Sequence, residues 1–231
     1  MKKKLVVLTG AGMSVESGIP NELDPNVFGD RTIPDIANAD NFETHPEELF
    51  HLCNVIRAMA VKARPNKAHK ILVELENDFD INIITQNVDE LHEIAGSKNV
   101  MHIFGNVMEN CEMNHKENVY PVDYSNPVLN WGDKTENGEL LRPNVILFDE
   151  AVPNITKAVE IAQEADIFAV IGTSLQVDPA ASLLHYVKEG TPIYYIDPYP
   201  ADKDVPNLTV ITKPATEGVA DLAEILKKDY L

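Results

Sequence analysis

Leu5 to Leu8 is an unbroken run of large aliphatic residues that leads directly into Thr9-Gly10-Ala11-Gly12. Four consecutive apolar positions suit a strand covered on both faces, the environment of a parallel sheet. The glycines at 10 and 12 allow backbone conformations that a side chain forbids and let the chain come close to a ligand. A helix should follow, and its first N–H groups would offer an anion site for which a diphosphate is the natural guest. The match to the dinucleotide fingerprint is partial: Val15 stands at the third glycine, and no Lys-Ser/Thr pair follows to make a P-loop. Strand-to-helix turns also use glycine for structural reasons alone, so this stretch by itself leaves both readings open.

The rest of the chain repeats the alternation. Further strands are expected at Phe79–Thr85, Val100–Phe104, Val145–Phe148, Ile167–Ile171, Ile193–Ile196 and Leu208–Ile211. Helices are expected from His45, capped by Thr44, to about Lys62, with Leu49, Leu52, Cys53, Ile56 and Met59 as packing face, and over Ala68–Asn77, Leu91–Ala95, Lys157–Glu164, Ala180–Lys188 and Glu217–Leu226. Asn21 to Asn41 is rich in Asn, Asp and Pro and reads as a long loop or short helical turns. Val107 to Arg142 shifts in composition and is a candidate insert. Strands alternating with helices argue for a doubly wound parallel sheet, whose ligands sit at the carboxyl ends of the strands. Four such ends carry small or polar residues: Gly10 to Ser14, Gln86 to Asp89, Gly172 to Ser174, and Asp197.

Among 231 residues, 19 are basic and 37 acidic, a formal charge of -18 that repels a phosphate backbone and argues against nucleic-acid binding. Met1-Lys2-Lys3-Lys4 resembles the start of a signal peptide, but the apolar run behind it is short and ends in Gly-Ala-Gly, so it reads as the first strand. No apolar run approaches the roughly 20 residues needed to span a bilayer, and no membrane association is expected. Cys53 and Cys111 form no motif, which suits free thiols in a reducing cytosol and a cytoplasmic protein.

Two blocks carry a resemblance to a known family. Gly10-Ala11-Gly12-Met13-Ser14 with Glu16-Ser17-Gly18-Ile19-Pro20 resembles the first motif of the sirtuins, and Thr85-Gln86-Asn87-Val88-Asp89 with Leu91-His92 and Ala95-Gly96 resembles the second. Leu141-Arg142-Pro143, Gly172-Thr173-Ser174 and Pro179-Ala180-Ala181 complete the pattern, which runs over nearly the whole chain. The resemblance implies an α/β fold: a doubly wound parallel Rossmann-like sheet over 1–231, with a small inserted subdomain drawn from residues 21–62 and 107–142. It implies NAD as cofactor and protein-lysine deacylation as activity, with NAD or ADP-ribose and an acyl-lysine peptide as partners. By it, Gly10, Ala11, Gly12 and Ser14 would hold the NAD phosphates, Gln86 and Asn87 would face the ribose beside the nicotinamide, and Asp89 would meet the carboxamide. Gly172, Thr173 and Ser174 would line the rest of the cofactor, and Asp197 and Ala215 would lie by the adenosine.

The departures cluster. Phe104 stands where sirtuins have the general-base histidine that activates a ribose hydroxyl, and loss of a general base typically costs roughly 10²–10⁴-fold. His102 lies two residues earlier on the same strand face, one pleat repeat or roughly 6 to 7 Å away, too far to replace it. Asn21-Glu22-Leu23 replaces a small residue, Phe and Arg in the cofactor loop, and Leu147-Phe148-Asp149-Glu150 replaces Trp-Phe-Gly-Glu. Cys53 and Ile56 stand where members specialised for acidic acyl groups have Tyr and Arg. The insert offers only Cys111 and His115 where many sirtuins have two Cys pairs for zinc, too few for a tetrahedral site, so the subdomain is expected to lack zinc, as in some bacterial members. Impaired deacylation is therefore expected, with a non-catalytic NAD/ADP-ribose-binding module or an NAD glycohydrolase using Asn87 and Asp89 as the alternatives.

Overall fold

The computed structural model describes residues 2–22 and 25–231. Leu23, one of the cofactor-loop departures, and Met1 lie outside the described residues. The first half contains β1 (Lys4–Thr9), α1 (Gly12–Val15), α2 (Pro25–Phe28), α3 (Ile33–Ile36), α4 (Ala39–Thr44), α5 (Pro46–Ala60), α6 (Lys67–Leu75), β2 (Asp80–Thr85), α7 (Leu91–Ala95) and β3 (Val100–His102). It continues through β4 (Gly105–Glu112), β5 (Val119–Pro121), β6 (Leu141–Val145), α8 (Ile155–Gln163), β7 (Ile167–Ile171), a 3₁₀ helix (Ala181–Tyr186), β8 (Ile193–Ile196), β9 (Leu208–Ile211) and α9 (Ala215–Tyr230).

Six strands form one sheet in the order β3-β2-β1-β7-β8-β9, with every neighbouring pair parallel. Because side chains alternate along a strand, one apolar run can serve two layers. Leu5 and Val7 pack with Ala68, Leu72 and Leu75 of α6 and Val219, Leu222 and Leu226 of α9; Val6 and Leu8 join Ala158 and Ala162 of α8 and Leu183 of the 3₁₀ helix. All four β1 residues are 0 % exposed, which contributes about 1.5–3 kcal/mol for each aliphatic side chain so buried. The direction of strand addition reverses between β1 and β7, and a doubly wound sheet binds its ligands in the crevice beyond the carboxyl ends at that reversal.

The second sheet has the order β5-β4-β6 and is antiparallel. It packs on α5 through a separate cluster that includes Leu49, Leu52, Cys53, Val107, Met108, Val122 and Leu147. Arg57 of α5, 0 % exposed, ties this cluster together by donating to the carbonyls of Val107 (2.6 Å), Glu109 (3.1 Å) and Pro127 (3.2 Å) and to Asn110 Oδ1 (2.7 Å). Its guanidinium thus satisfies backbone groups that burial would otherwise leave costly.

Several sequence expectations are corrected here. The strand expected at Val145–Phe148 does not join the parallel sheet: β6 ends at Val145 and lies antiparallel to β4. Residues 146–148 run on beside Ala37 and Asn38, where Phe148 N donates to Ala37 O at 2.8 Å. An apolar run reveals burial but not its pairing partner. Gly105 supplies that partner, since at φ +85° it brings the chain so close to β6 that a Cβ would sit 2.2 Å from Asn144 O. For the same reason β3 stops at His102 instead of reaching Phe104, and the strands of the second sheet run from Gly105 to Val145. The helix expected over Ala180–Lys188 is a six-residue 3₁₀ helix, and the helix after Gly12 is a single turn. Between 21 and 41 the structure has the short turns α2 and α3 and the start of α4.

Candidate active site

The turns after β1 and β7 meet at the reversal of the sheet. Gly12 N donates to Gly172 O at 2.8 Å and Gly10 N to Ile171 O at 3.0 Å. A Cβ on Gly12 would lie 2.7 Å from Gly172 Cα, and one on Gly172, whose φ is +63°, would lie 2.4 Å from Met13 N. At Gly10 and Gly12 the lack of a side chain lets two backbone turns touch, and the Gly12 N–H is engaged by Gly172 O. Ala11 and Ser174 are exposed at the tips of these turns, and Gly10 and Thr173 are buried between them.

Side chains from three strand ends then interlock. Ser14 Oγ donates to Asp89 Oδ2 at 2.8 Å and accepts from Asn87 Nδ2 at 3.1 Å. Asp89 Oδ1 accepts from Leu91 N at 3.1 Å, and Gln86 Nε2 donates to Thr173 Oγ1 at 3.1 Å. Thr173 is fixed in turn by Tyr195, whose hydroxyl donates to its carbonyl at 2.9 Å. Asn87 and Asp89 are 8 % and 5 % exposed. Burial pushes the Asp89 carboxyl above the usual range, against the bonds from Leu91 N–H and Ser14 that favour its charge.

The backbone of Asn87 is held from two sides. Its N–H donates to Thr85 Oγ1 at 3.0 Å, and its carbonyl accepts from His102 Nδ1 at 2.8 Å. His102 Nε2 also reaches Glu93 Oε1 at 2.8 Å. Both ring nitrogens therefore donate, which requires the imidazolium. Burial alone would depress the His102 pKa, but the Glu93 bond and charge, the Asn87 carbonyl and Asp89 outweigh it and the net shift is upward. A cation committed to two acceptors has no lone pair for base chemistry, so His102 does not stand in at Phe104. Phe104 itself packs partly buried against the cluster that contains Ile84 and Ile103, and its carbonyl accepts from Ile146 N at 2.9 Å.

Asp197 and Ala215 lie further along the same sheet edge, at the end of β8 and the first residue of α9. Asp197 Oδ1 accepts from Tyr199 N at 2.8 Å, and Glu16 caps α9 through Thr216 N (2.9 Å) and Thr216 Oγ1 (2.8 Å). Cys53, its pKa pushed up to about 12 by burial, and Ile56 belong to the core under the second sheet. Asp149 is exposed at φ +72°, so the chain keeps a left-handed turn with a side chain on it. Cys111 is buried, whereas His115 is exposed beside Glu117. Among the described residues no group of three His, Cys, Asp or Glu is placed to hold a metal ion. No helix among the described residues is long and apolar enough to cross a membrane.

Sequence reasoning missed a polar cluster beside this site. Glu90 accepts from Asn106 Nδ2 at 2.8 Å and from the Tyr124 hydroxyl, joining the β2–α7 turn to the second sheet. No spacing rule connects residues 90, 106 and 124; the contact follows from the docking of the two sheets.

Comparison with known proteins agrees with this architecture. Residues 10–179 match the Sir2 family. A NAD-dependent protein deacylase of Bacteroides thetaiotaomicron is 41% identical over 229 residues, covering 97% of this chain and 98% of the relative. Among solved structures, a Sir2 homolog–NAD complex superposes with a TM-score of 0.85 at 33% identity, over 98% of this chain and 90% of that one. A Sir2 variant with a deacetylated p53 peptide and 3′-O-acetyl ADP-ribose does so with a TM-score of 0.81 at 29% identity, over 99% of this chain and 94% of that one. The chain belongs to the Sir2 family.

Proposed function

We propose that this chain binds NAD across the carboxyl edge of its parallel sheet and is a protein-lysine deacylase of its family with a weakened deacylation step. The observation that carries the reading is the interlocked group Ser14–Asn87–Asp89 with Gln86–Thr173, which joins three strand ends at the point where a doubly wound sheet takes its ligand. The touching turns at Gly12 and Gly172 leave Ala11 and Ser174 outermost, where backbone and hydroxyl groups suit a diphosphate. When bound, NAD would supply an electrophilic ribose carbon whose bond to nicotinamide would break, releasing nicotinamide, as the acyl oxygen bonds to that carbon. Asn87 and Asp89 would orient the nicotinamide ribose and carboxamide. Residues 21–62 and 107–142 would form the small subdomain that closes on an acyl-lysine peptide.

The weakening follows from Phe104. A phenyl ring accepts no proton, and the nearby His102 is committed to Asn87 and Glu93. The test is nicotinamide release and deacylated product formation with an acetyl-lysine peptide, for the wild type and Phe104→His. Restoration of roughly 10²–10⁴-fold in product formation is expected. Equal turnover by both proteins would sink the role given to position 104. ADP-ribose formation without peptide would instead identify an NAD glycohydrolase, and nucleotide binding without turnover by either protein a binding module. Absence of NAD and ADP-ribose binding at millimolar concentration in calorimetry would overturn the reading as a whole.

A further inference from the structure

The segment that carries Asn87 and Asp89 lies between β2 and α7 and is held one peptide at a time. Gln86 N donates to Thr9 O at 2.9 Å, Asn87 N to Thr85 Oγ1 at 3.0 Å, and Val107 N to Val88 O at 2.8 Å. The Asn87 carbonyl belongs to a residue that is 8 % exposed and takes its hydrogen bond from His102 Nδ1 at 2.8 Å. No other donor among the described residues reaches it. A carbonyl so placed and left without a partner would be costly.

One imidazole reaches both ends of this segment. His102 is the last residue of β3, in register with Thr85 of β2, and its side chain is 13 % exposed. Its Nδ1 holds Asn87 at the start, and its Nε2 lies 2.8 Å from Glu93 Oε1 on the first turn of α7, just past the end. A carbonyl and a carboxylate are both acceptors, so holding the two together needs a proton on each ring nitrogen. A ring that loses one proton sets a lone pair against either the Asn87 carbonyl or the Glu93 carboxylate, and that end is released. The charged groups facing the ring are Glu93 from α7 and Asp89 from the turn, and both raise its hold on the second proton. His92, also on α7, is neutral, since burial lowers its pKa first and the charges of His69 and His102 lower it further. From the segment before α8 the uncharged Asn154 approaches, with Nδ2 3.5 Å from His102 O.

We propose that His102 and Glu93 are positioning residues for the nucleotide site: the Glu93 carboxylate anchors a His102 imidazolium, and the ring staples together the two ends of residues 87–93. The staple fixes the Asn87 peptide, and with it the side chain whose Nδ2 meets Ser14 Oγ at 3.1 Å beside Asp89. Its functional meaning rests on the nucleotide site proposed above, whereas the staple itself is a property of the unliganded chain. Only the doubly protonated ring holds both ends, so nucleotide affinity follows the charge on His102. It is complete at low pH and falls as pH rises through the raised pKa of the ring.

The test is calorimetry of ADP-ribose binding to the full chain between about pH 6 and 9.5. The wild type should lose about tenfold in affinity as His102 gives up its proton. His102→Phe should bind about tenfold more weakly at pH 6.5 and show no such fall. Glu93→Gln offers the neutral ring an amide donor at Nε2 and leaves Nδ1–H for Asn87, so both ends stay held without a charge. Its affinity should remain within about threefold of the wild type at pH 6.5 and stay flat to pH 9.5. A wild-type affinity indifferent to pH, a Glu93→Gln variant that keeps the wild-type fall, or a folded His102→Phe variant that binds like the wild type would each overturn the proposal. In ¹H–¹⁵N spectra of the unliganded chain, the His102 ring nitrogens and the Asn87 amide should titrate with one midpoint, and an Asn87 resonance that ignores the ring would overturn it as well. If the wild type binds no ADP-ribose at any pH, the nucleotide reading falls while these spectra still decide the staple.

Discussion

The carboxyl edge of the parallel sheet and its junction with the second sheet have been treated differently by this sequence. Along the edge, Ser14, Gln86, Asn87, Asp89 and Thr173 bond to one another, and the turns that carry them touch backbone to backbone. At the junction, Phe104 is apolar, Asp149 carries a side chain in a left-handed turn, and Cys53 and Ile56 have merged into a core. The edge is a mutually dependent unit in which one change disturbs several partners. At the junction the polar contacts fall into separate groups, Arg57 with Val107, Glu109, Asn110 and Pro127, and Glu90 with Asn106 and Tyr124.

Each side of that contrast can be broken. Phe104→His at the junction has the largest expected effect, the roughly 10²–10⁴-fold gain in deacylation stated above, with little change in stability. Gly172→Ala at the edge should cost on the order of 3 kcal/mol, since the new Cβ meets backbone and the left-handed φ is strained as well. Urea unfolding would measure it, and a loss below about 1 kcal/mol would show that the two turns are not interlocked. Arg57→Leu should cost about 2 kcal/mol by orphaning buried carbonyls. Hydrogen exchange should then rise in the second sheet and leave β1 and β7 protected; uniform exchange would erase the distinction between the regions.

The fourth prediction concerns pH. The pKa of His102 is raised in the fold, so the stability it contributes is complete below the ordinary histidine value of about 6.5 and is lost as pH rises through the raised value. Glu93→Gln should therefore cost roughly 1.5 kcal/mol near pH 6 and progressively less toward pH 9. A cost independent of pH would show that His102 is neutral. The smallest effect is expected at Asp149→Gly, which relieves the left-handed turn and should stabilise the chain by roughly 0.5 kcal/mol, read as a small rise in the unfolding midpoint.

What could be read in the chain beforehand follows the same division. Buried parallel strands announce themselves as apolar runs, and β1, β2, β7 and β8 were legible for that reason, while β9 is an edge strand with Thr209 and Val210 exposed. The polar ends of β1, β2 and β7 were legible as a group because a doubly wound sheet must bring them to one edge. The second sheet was not, because it pairs Cys111 with Arg142 and Gly105 with Val145 across a stretch that lacks a strong alternation. His92 was legible only as part of a motif, and no pattern hinted that its ring lies 4.9 Å from that of His69.

By itself the sequence determined the layered α/β plan and the edge where chemistry would gather, since both follow from local periodicity and the position of glycines. Tertiary structure alone decided what those glycines touch, which segments of the second sheet pair, and that His102 is held between the Asn87 carbonyl and Glu93. These are matters of which distant groups meet in a space without water, where every donor must find an acceptor, and no local pattern encodes that pairing.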